Sequence, residues 1–506
     1  MFLKASALSL ALLLASRLFG LVRESAQAAA FGASGMGDVA VLMLTLPDWL
    51  TGVLANGALA YVLLPQWAGQ TPAQQAQAQG RVARFLLMLG LLTAGALCIF
   101  QDSAVHFLAS GLPPHLATQA AQGVVWAATA LPAALLAALW VTRLQHERDF
   151  VGLYAANLVV NGALIVGLAL IPHRPLPVGT ISLLGLFLWL AMGLRLLWLR
   201  RRLTACAIER EAPAHGVSAP APHATLWLWA ALSAGLPMAL PFVARSFASS
   251  AGEGALATFN YAWKLVELPL VLAIQLVATL AFPAITRAMA AQPEEAGVPK
   301  ALPLEAIRAV RSAFLLAWTL ACAAVAALLV GAPAIATLLF GWGRMSPEGL
   351  ARVAAWGSIG AWSLLPQALI AVALTVLAAQ RRMRAAVAAY AAALAALLVL
   401  GAGSHGDGAH LMAGLNGVLS AVALAVVLRL RQRGLSNDQG PSLMPWRAMG
   451  VPTVMLAVFA LAPPLGLIAL GEPFGLSALA PCILASISIV TISYLTSTEL
   501  RAALRR

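Results

Sequence analysis

The chain has 506 residues, 61% of them hydrophobic and only 10% charged, with a formal net charge of +13. A mean hydropathy of +0.88 excludes a soluble globular protein, because no compact core of this length could bury so much apolar surface. The basic balance would suit a nucleic-acid binder, but in a membrane protein it is first an orientation signal, and the placement of the charges decides.

Windows of about 20 apolar residues predict spans near 5–31, 39–66, 83–105, 119–143, 150–172, 177–199, 225–249, 255–284, 312–340, 351–379, 385–403, 410–430, 448–470 and 477–499. The expectation is an all-α polytopic membrane protein with fourteen transmembrane helices. With the N-terminus inside, Arg81, Arg84, Arg143, Arg148, Arg200, Arg201, Arg202, Arg382, Arg384, Arg429 and Arg501 all fall on the cytoplasmic side. The opposite loops receive only Arg174 and Arg344. This asymmetry predicts that both termini are cytoplasmic, and it explains the basic character without nucleic acid.

The first segment carries Arg17 and Arg23. An arginine at the bilayer centre costs about 2.5–3.5 kcal/mol on insertion scales, so a buried cation implies an anionic partner. Arg17 lies about 18 Å along the helix at 1.5 Å per residue, near the midplane. Ser6, Ser9, Ser16, Gly20, Glu24 and Gln27 recur at three- and four-residue steps, a polar stripe that must face protein or water. Arg17 interrupts the apolar run, which favours a retained span over a cleaved signal despite Ala28, Ala29 and Ala30.

The second span opens on Asp38 and contains Pro47, Asp48 and Asn56. A mid-span proline frees backbone carbonyls, a condition tolerated beside a cavity or neighbour. Pro237 and Pro241 in the seventh span, Pro366 in the tenth and Pro463 and Pro464 in the thirteenth repeat the device, as bends would in a rocking transporter. Asn157 and Asn161 in the fifth span suit interhelical hydrogen bonding better than ligation. On a helical wheel the eighth span places Asn260, Lys264, Glu267 and Gln275 on one narrow face, and Lys264 can pair with Glu267. With Arg17 and Arg23 these residues predict a shared charged cavity.

Phe31 to Pro65 and Phe247 to Pro283 share a pattern, a small-residue turn followed by a long helix ending in proline. They lie six helices apart, so the repeat would be parallel: two six-helix lobes related by a pseudo-two-fold axis along the membrane normal, plus two accessory C-terminal helices. The expected divisions are 1–205, 220–435 and 445–506.

The loops around 200–224 and 286–310 are too short to fold alone, and no nucleotide-binding, zincin or nucleophile-elbow motif is present. The reading is a transporter and not an enzyme, with no catalytic residue. The histidines fall in loops. His405, Asp407 and His410 read as a solvated polar turn and not a metal site, and Cys98, Cys206, Cys322 and Cys482 have no paired spacing.

The run Ser16-Arg17-Leu18-Phe19-Gly20-Leu21-Val22-Arg23-Glu24, then Phe31-Gly32-Ala33, Asp38, Leu46-Pro47 and Gly57-Ala58, resembles the opening of the MurJ/MviN lipid II flippases. Tyr261-Ala262-Trp263-Lys264-Leu265-Val266-Glu267-Leu268-Pro269 is similar to the eighth helix of that family, which belongs to the multidrug/oligosaccharidyl-lipid/polysaccharide exporter superfamily. The resemblance implies a V-shaped central cavity whose cations hold the pyrophosphate of an undecaprenyl-linked sugar, and a groove for the lipid tail on the last two helices. Arg17, Arg23, Asp38 and Glu267 carry over. Lys264 stands where the family has arginine, and Thr51, Gly52 and Asn56 occupy positions that are basic or acidic in the family. Arg245, at the outer end of the seventh span, is the compensating cation that the lobe symmetry offers.

The resemblance thus implies a bacterial inner-membrane flippase that moves an undecaprenyl-pyrophosphate-linked saccharide, lipid II first, to the outer leaflet by alternating access. Its site residues are Arg17, Arg23, Lys264, Asp38, Glu267, Asn260, Asp48 and Arg245. No cofactor is implied, and coupling to Na+, H+ or the membrane potential stays open. Membrane lipids and cell-wall synthesis proteins are the expected partners. The alternatives are a flippase for another lipid-linked glycan (capsule, exopolysaccharide or O-antigen), a cation-coupled multidrug antiporter, which would want an acidic cavity, and a scaffold for cell-wall enzymes.

Overall fold

A computed structural model describes residues 2–171, 179–207, 223–290, 304–380, 382–403, 407–431, 443–461 and 479–504. His173, Arg174, His405, Pro463, Pro464 and the side chains of Ser6, Ser9, Cys206 and Asn56 lie outside the described residues.

The chain is all-helical, with no strand among the described residues. In order, α1 spans Phe2–Phe31, α2 Gly35–Val53, α3 Leu59–Ala68, α4 Pro72–Ile99, α5 Gln101–Leu108, α6 Ala117–His146, α7 Phe150–Leu170, α8 Thr180–Ala207 and α9 Ala224–Ala248. Next come α10 at Ala255–Pro269, α11 at Gln275–Ala290, α12 at Leu304–Phe340, α13 at Pro347–Ala361, α14 at Leu364–Ala379, α15 at Arg384–Gly403, α16 at Gly408–Arg431, α17 at Trp446–Leu461, α18 at Ala480–Thr496 and α19 at Thr498–Leu504. Among the described residues ten helical stretches are long and apolar enough to cross a membrane, or eleven if the bent pair α13 and α14 counts as one. The 30-residue α1 and the shorter apolar helices α17 and α18 stand where the first, thirteenth and fourteenth spans are expected.

Two compact units divide the chain. The first is Met1–Ala257 with the loop Trp342–Ser346, and the second is Thr258–Gly341 with Pro347–Arg506. In the first, α6 packs against α2, α4 and α8, and α1 against α7. In the second, α12 packs against α11, α13, α14, α17 and α18. Both central helices bury alanines, among them Ala127, Ala134 and Ala138 on α6 and Ala317, Ala321 and Ala326 on α12. Lipid tails are as apolar as leucine, so burial alone does not hold membrane helices together; small residues let backbones approach and gain dispersion contacts. On α4, by contrast, the large apolar side chains of Phe85, Leu92 and Ile99 are exposed.

Local chemistry sets the helix ends. Thr71 caps α4 through a reciprocal box, its hydroxyl accepting from Gln74 N and its own amide donating to Gln74 Oε1 at 3.1 Å, with Pro72 at the first helical position. The third span therefore starts well before residue 83 and stops at Ile99. The expected single helix over 351–379 is two, bent by 47° just before Pro366. In α12 the helix is interrupted at Gly331, two residues before Pro333. A π-turn, Leu54–Ala58, separates α2 from α3, and another, Leu270–Ile274, separates α10 from α11. The two occupy matching places in the internal repeat read from the sequence.

Candidate substrate site

Of the polar stripe of α1, Gly20 is half-buried and Ser16, Glu24 and Gln27 are buried. Arg23 joins them at 8% exposure. Its Nη2 donates to Glu24 Oε1 at 2.7 Å and its Nη1 to Asp48 Oδ2 at 2.8 Å, so the second-span acid expected in the site meets the first-helix arginine directly. Arg17 is exposed, and its charge acts on Tyr154 of α7.

Thr51 is buried, and its hydroxyl donates to Pro47 O at 2.9 Å and Asp48 O at 3.1 Å. Proline leaves a carbonyl of the preceding turn without its amide partner, and a hydroxyl one turn on steadies the same stretch. Arg245, in the last turn of α9, lies 5.1 Å over the Phe242 ring, and Phe242 stacks on Trp49 at 5.5 Å. Gly57 faces Ala234 closely enough that a Cβ would sit 1.9 Å from the Ala234 methyl, so α9 approaches the π-turn of the second span at van der Waals distance.

Asp38 is 1% exposed, and both its oxygens are engaged: Oδ2 accepts from Gly254 N at 2.8 Å and Oδ1 from Ala257 N at 2.7 Å. The geometry is that of a cap on the N-terminus of α10. It orients a helix.

In the second unit, Lys264 Nζ donates to Glu267 Oε2 at 2.8 Å, and the two side chains are 25% and 35% exposed. Asn260, one turn earlier, is buried. Gln275 is exposed. The π-turn before it takes up an extra residue, roughly 100° on a helical wheel, so the face drawn for an unbroken helix does not continue through it.

Arg195 of α8 is a cation that the sequence reading passed over. It is 7% exposed, and its Nη2 lies 3.4 Å from Asn157 Oδ1 on α7, an interhelical pairing of the kind expected of that asparagine. Asp48 is near enough for its charge to act on Arg195. Little more than a turn further on, Arg200, Arg201 and Arg202 form a basic flank expected to be cytoplasmic. The available signal was its position inside a predicted span.

Outside the spans, Arg202 forks onto Asp149, Nε to Oδ2 at 2.8 Å and Nη2 to Oδ1 at 2.7 Å. Burial pushes that carboxyl up, but the bonds from Arg202 and from the Gly152 amide outweigh it and hold it below the usual range. This clamp ties the end of α8 to the start of α7.

A multi-pass helical bundle with an arginine buried inside one of its spans is the architecture of an integral membrane protein. The chain belongs to the MurJ lipid II flippase family, whose model matches residues 27–472. Members of that family are flippases. Among solved structures, the lipid II flippase MurJ in an inward closed conformation superposes with a TM-score of 0.78 at 14% identity, covering 97% of this chain and 99% of that one. An inward-facing multidrug resistance transporter of the MATE family gives 0.65 at 15% identity, over 83% of this chain and 96% of its own. A transporter of the same superfamily from Pyrococcus furiosus, described by the reverse polarity of its binding pocket, gives 0.59 at 15% identity, over 86% and 96%. At such identities these likenesses establish the fold. No match was found among curated proteins.

Proposed function

We propose that this chain is a bacterial inner-membrane flippase that carries an undecaprenyl-pyrophosphate-linked saccharide, lipid II first, from the inner to the outer leaflet. The observation that carries the reading is Arg23, a guanidinium kept 8% exposed inside a membrane span of a chain whose family is that of lipid II flippases. Such a charge is retained where it serves an anion, and the substrate's pyrophosphate is one. The substrate-binding residues we assign are Arg17, Arg23, Asp38, Asp48 and Arg245 in the first unit and Asn260, Lys264 and Glu267 in the second, the cations serving its pyrophosphate. No bond is made or broken: the chain alternates access between leaflets, with both termini cytoplasmic, driven by Na+, H+ or the membrane potential.

A second reading, transport of a different lipid-linked glycan, draws support from one position. Thr51 is neutral, and its hydroxyl is already bound to Pro47 O. Expression in cells depleted of their own lipid II flippase separates the two. Restored growth is the expected result; failure to rescue by correctly inserted protein, together with loss of a surface glycan when the gene is deleted, favours the second reading.

A further inference from the structure

Among the described residues, four buried N–H groups on α1, α2 and α8 have no acceptor: Arg23 Nε, Gln27 Nε2, Trp49 Nε1 and Arg195 Nε. Arg23 and Arg195 are each more than nine-tenths buried, at 8% and 7% exposure. All four groups are donors, so what this part of the first unit lacks is an acceptor. A buried donor without one retains its desolvation penalty, most of all when it is charged.

Charge makes the same demand. Arg17 and Arg23 of α1 and Arg195 of α8 are three positive charges inside predicted spans, near the negative Glu24 of α1 and Asp48 of α2. Asp48 is shared, 2.8 Å from Arg23 Nη1 and within electrostatic reach of Arg195. Its side chain is 42% exposed, whereas that of Arg23 is 10% exposed, so the carboxylate can swing out while the guanidinium stays. Arg195 has only a 3.4 Å contact to a neutral amide oxygen, and its Nε edge is unused.

We propose that Arg195 is a further substrate-binding residue: with Arg23 it forms a two-guanidinium site within the first unit for the diphosphate of the lipid-linked substrate, which Asp48 occupies in the unloaded protein. The inference rests on the flippase reading above. Forked donors suit the paired oxygens of a diphosphate better than a point charge does. The entering diphosphate displaces the Asp48 carboxylate toward the accessible side, and the buried donors gain the acceptors they lack.

The test uses the full-length protein in lipid nanodiscs, titrated with undecaprenyl diphosphate and, for comparison, undecaprenyl monophosphate and phosphatidylglycerol. Arg195→Gln should weaken diphosphate binding on the order of tenfold or more, as expected for loss of a charged hydrogen-bonding partner, and monophosphate binding less. Arg195→Lys should retain part of the affinity, and Asp48→Asn should raise it several-fold. Wild-type affinity in monodisperse Arg195→Gln, with loss in Arg23→Ala, overturns the proposal and leaves the flippase reading standing. If Arg195→Gln does not assemble, weaker diphosphate binding by Asp48→Asn overturns it instead. A wild-type protein that does not prefer undecaprenyl diphosphate over phosphatidylglycerol removes the flippase reading and this inference together.

Discussion

Asp38 holds Gly254 across 216 positions of chain, its Oδ2 accepting from the glycine amide at 2.8 Å while Oδ1 accepts from Ala257 at 2.7 Å. The relation is reciprocal, because Glu253 Oε1 accepts from Gly35 N, at the first residue of α2, at 3.2 Å. The N-terminus of α10 thus receives a carboxylate from α2, and that of α2 one from Glu253, two residues before α10, where unpaired amides and the helix dipole favour negative charge. Gly254 itself has φ +79°, and a Cβ there would meet Ala33 O at 2.2 Å, so only glycine allows the approach.

Removing this cap should destabilise the protein. Asp38→Ala leaves two buried amides without an acceptor, and a loss of about 1–2 kcal/mol is expected. Asp38→Asn, which keeps one acceptor, should lose less. Thermal unfolding in detergent reads the difference, and an unchanged melting temperature in Asp38→Ala would show that the cap contributes nothing.

The charged residues inside the spans should matter for transport and not for assembly. Arg23→Ala and Lys264→Ala are expected to reduce flipping at least tenfold while membrane levels stay at wild type, since each removes a cation from a site of low dielectric. Arg17→Ala should lose less, because Arg17 is exposed where Arg23 is buried. Lys264→Arg should be tolerated or improved, as the fork adds a second donor. Full activity in both alanine variants would assign these charges a purely structural part. The readout is accessibility of a lipid-linked substrate at the outer leaflet.

Membrane orientation can be read by labelling. A cysteine at Ser110 should react with an impermeant thiol reagent added outside intact cells, and a cysteine at Gln77 should not. Both positions are exposed. Gln75, two residues away, is unsuitable: its amide donates to Trp67 O at 2.7 Å and its oxygen accepts from Arg143 at 2.9 Å. The opposite labelling pattern would contradict cytoplasmic termini.

The Asp149–Arg202 clamp should make stability depend on pH in one direction. The folded carboxyl titrates below its unfolded value of about 3.9, so its contribution is complete above that pH and disappears as pH falls through the lower, folded value. Arg202→Gln should therefore lower stability at neutral pH by on the order of 1 kcal/mol or less for a pair at the membrane surface. The deficit should close in acid, below about pH 4. A deficit that persists unchanged there would mean that packing and not charge is lost.

The class of this protein was legible in the chain because membrane insertion is governed by segment hydropathy and flanking charge, which are local properties. The same holds for the Lys264–Glu267 pair, three residues apart on one helix, and for the buried stripe of Ser16, Glu24 and Gln27, which period alone reveals. The contacts of Arg23 with Asp48, of Asp38 with Gly254 and of Arg195 with Asn157 were not legible. Each joins different helices, and no spacing along a chain specifies which faces will meet. Nor did a helical wheel foresee the π-turns at Leu54–Ala58 and Leu270–Ile274. Each adds a residue to one turn, so a wheel drawn at a constant 100° per residue does not carry through it. Arg195 shows the limit from the other side: in sequence it is one more arginine before a cytoplasmic flank, and only the packing of α8 against α7 takes it out of water.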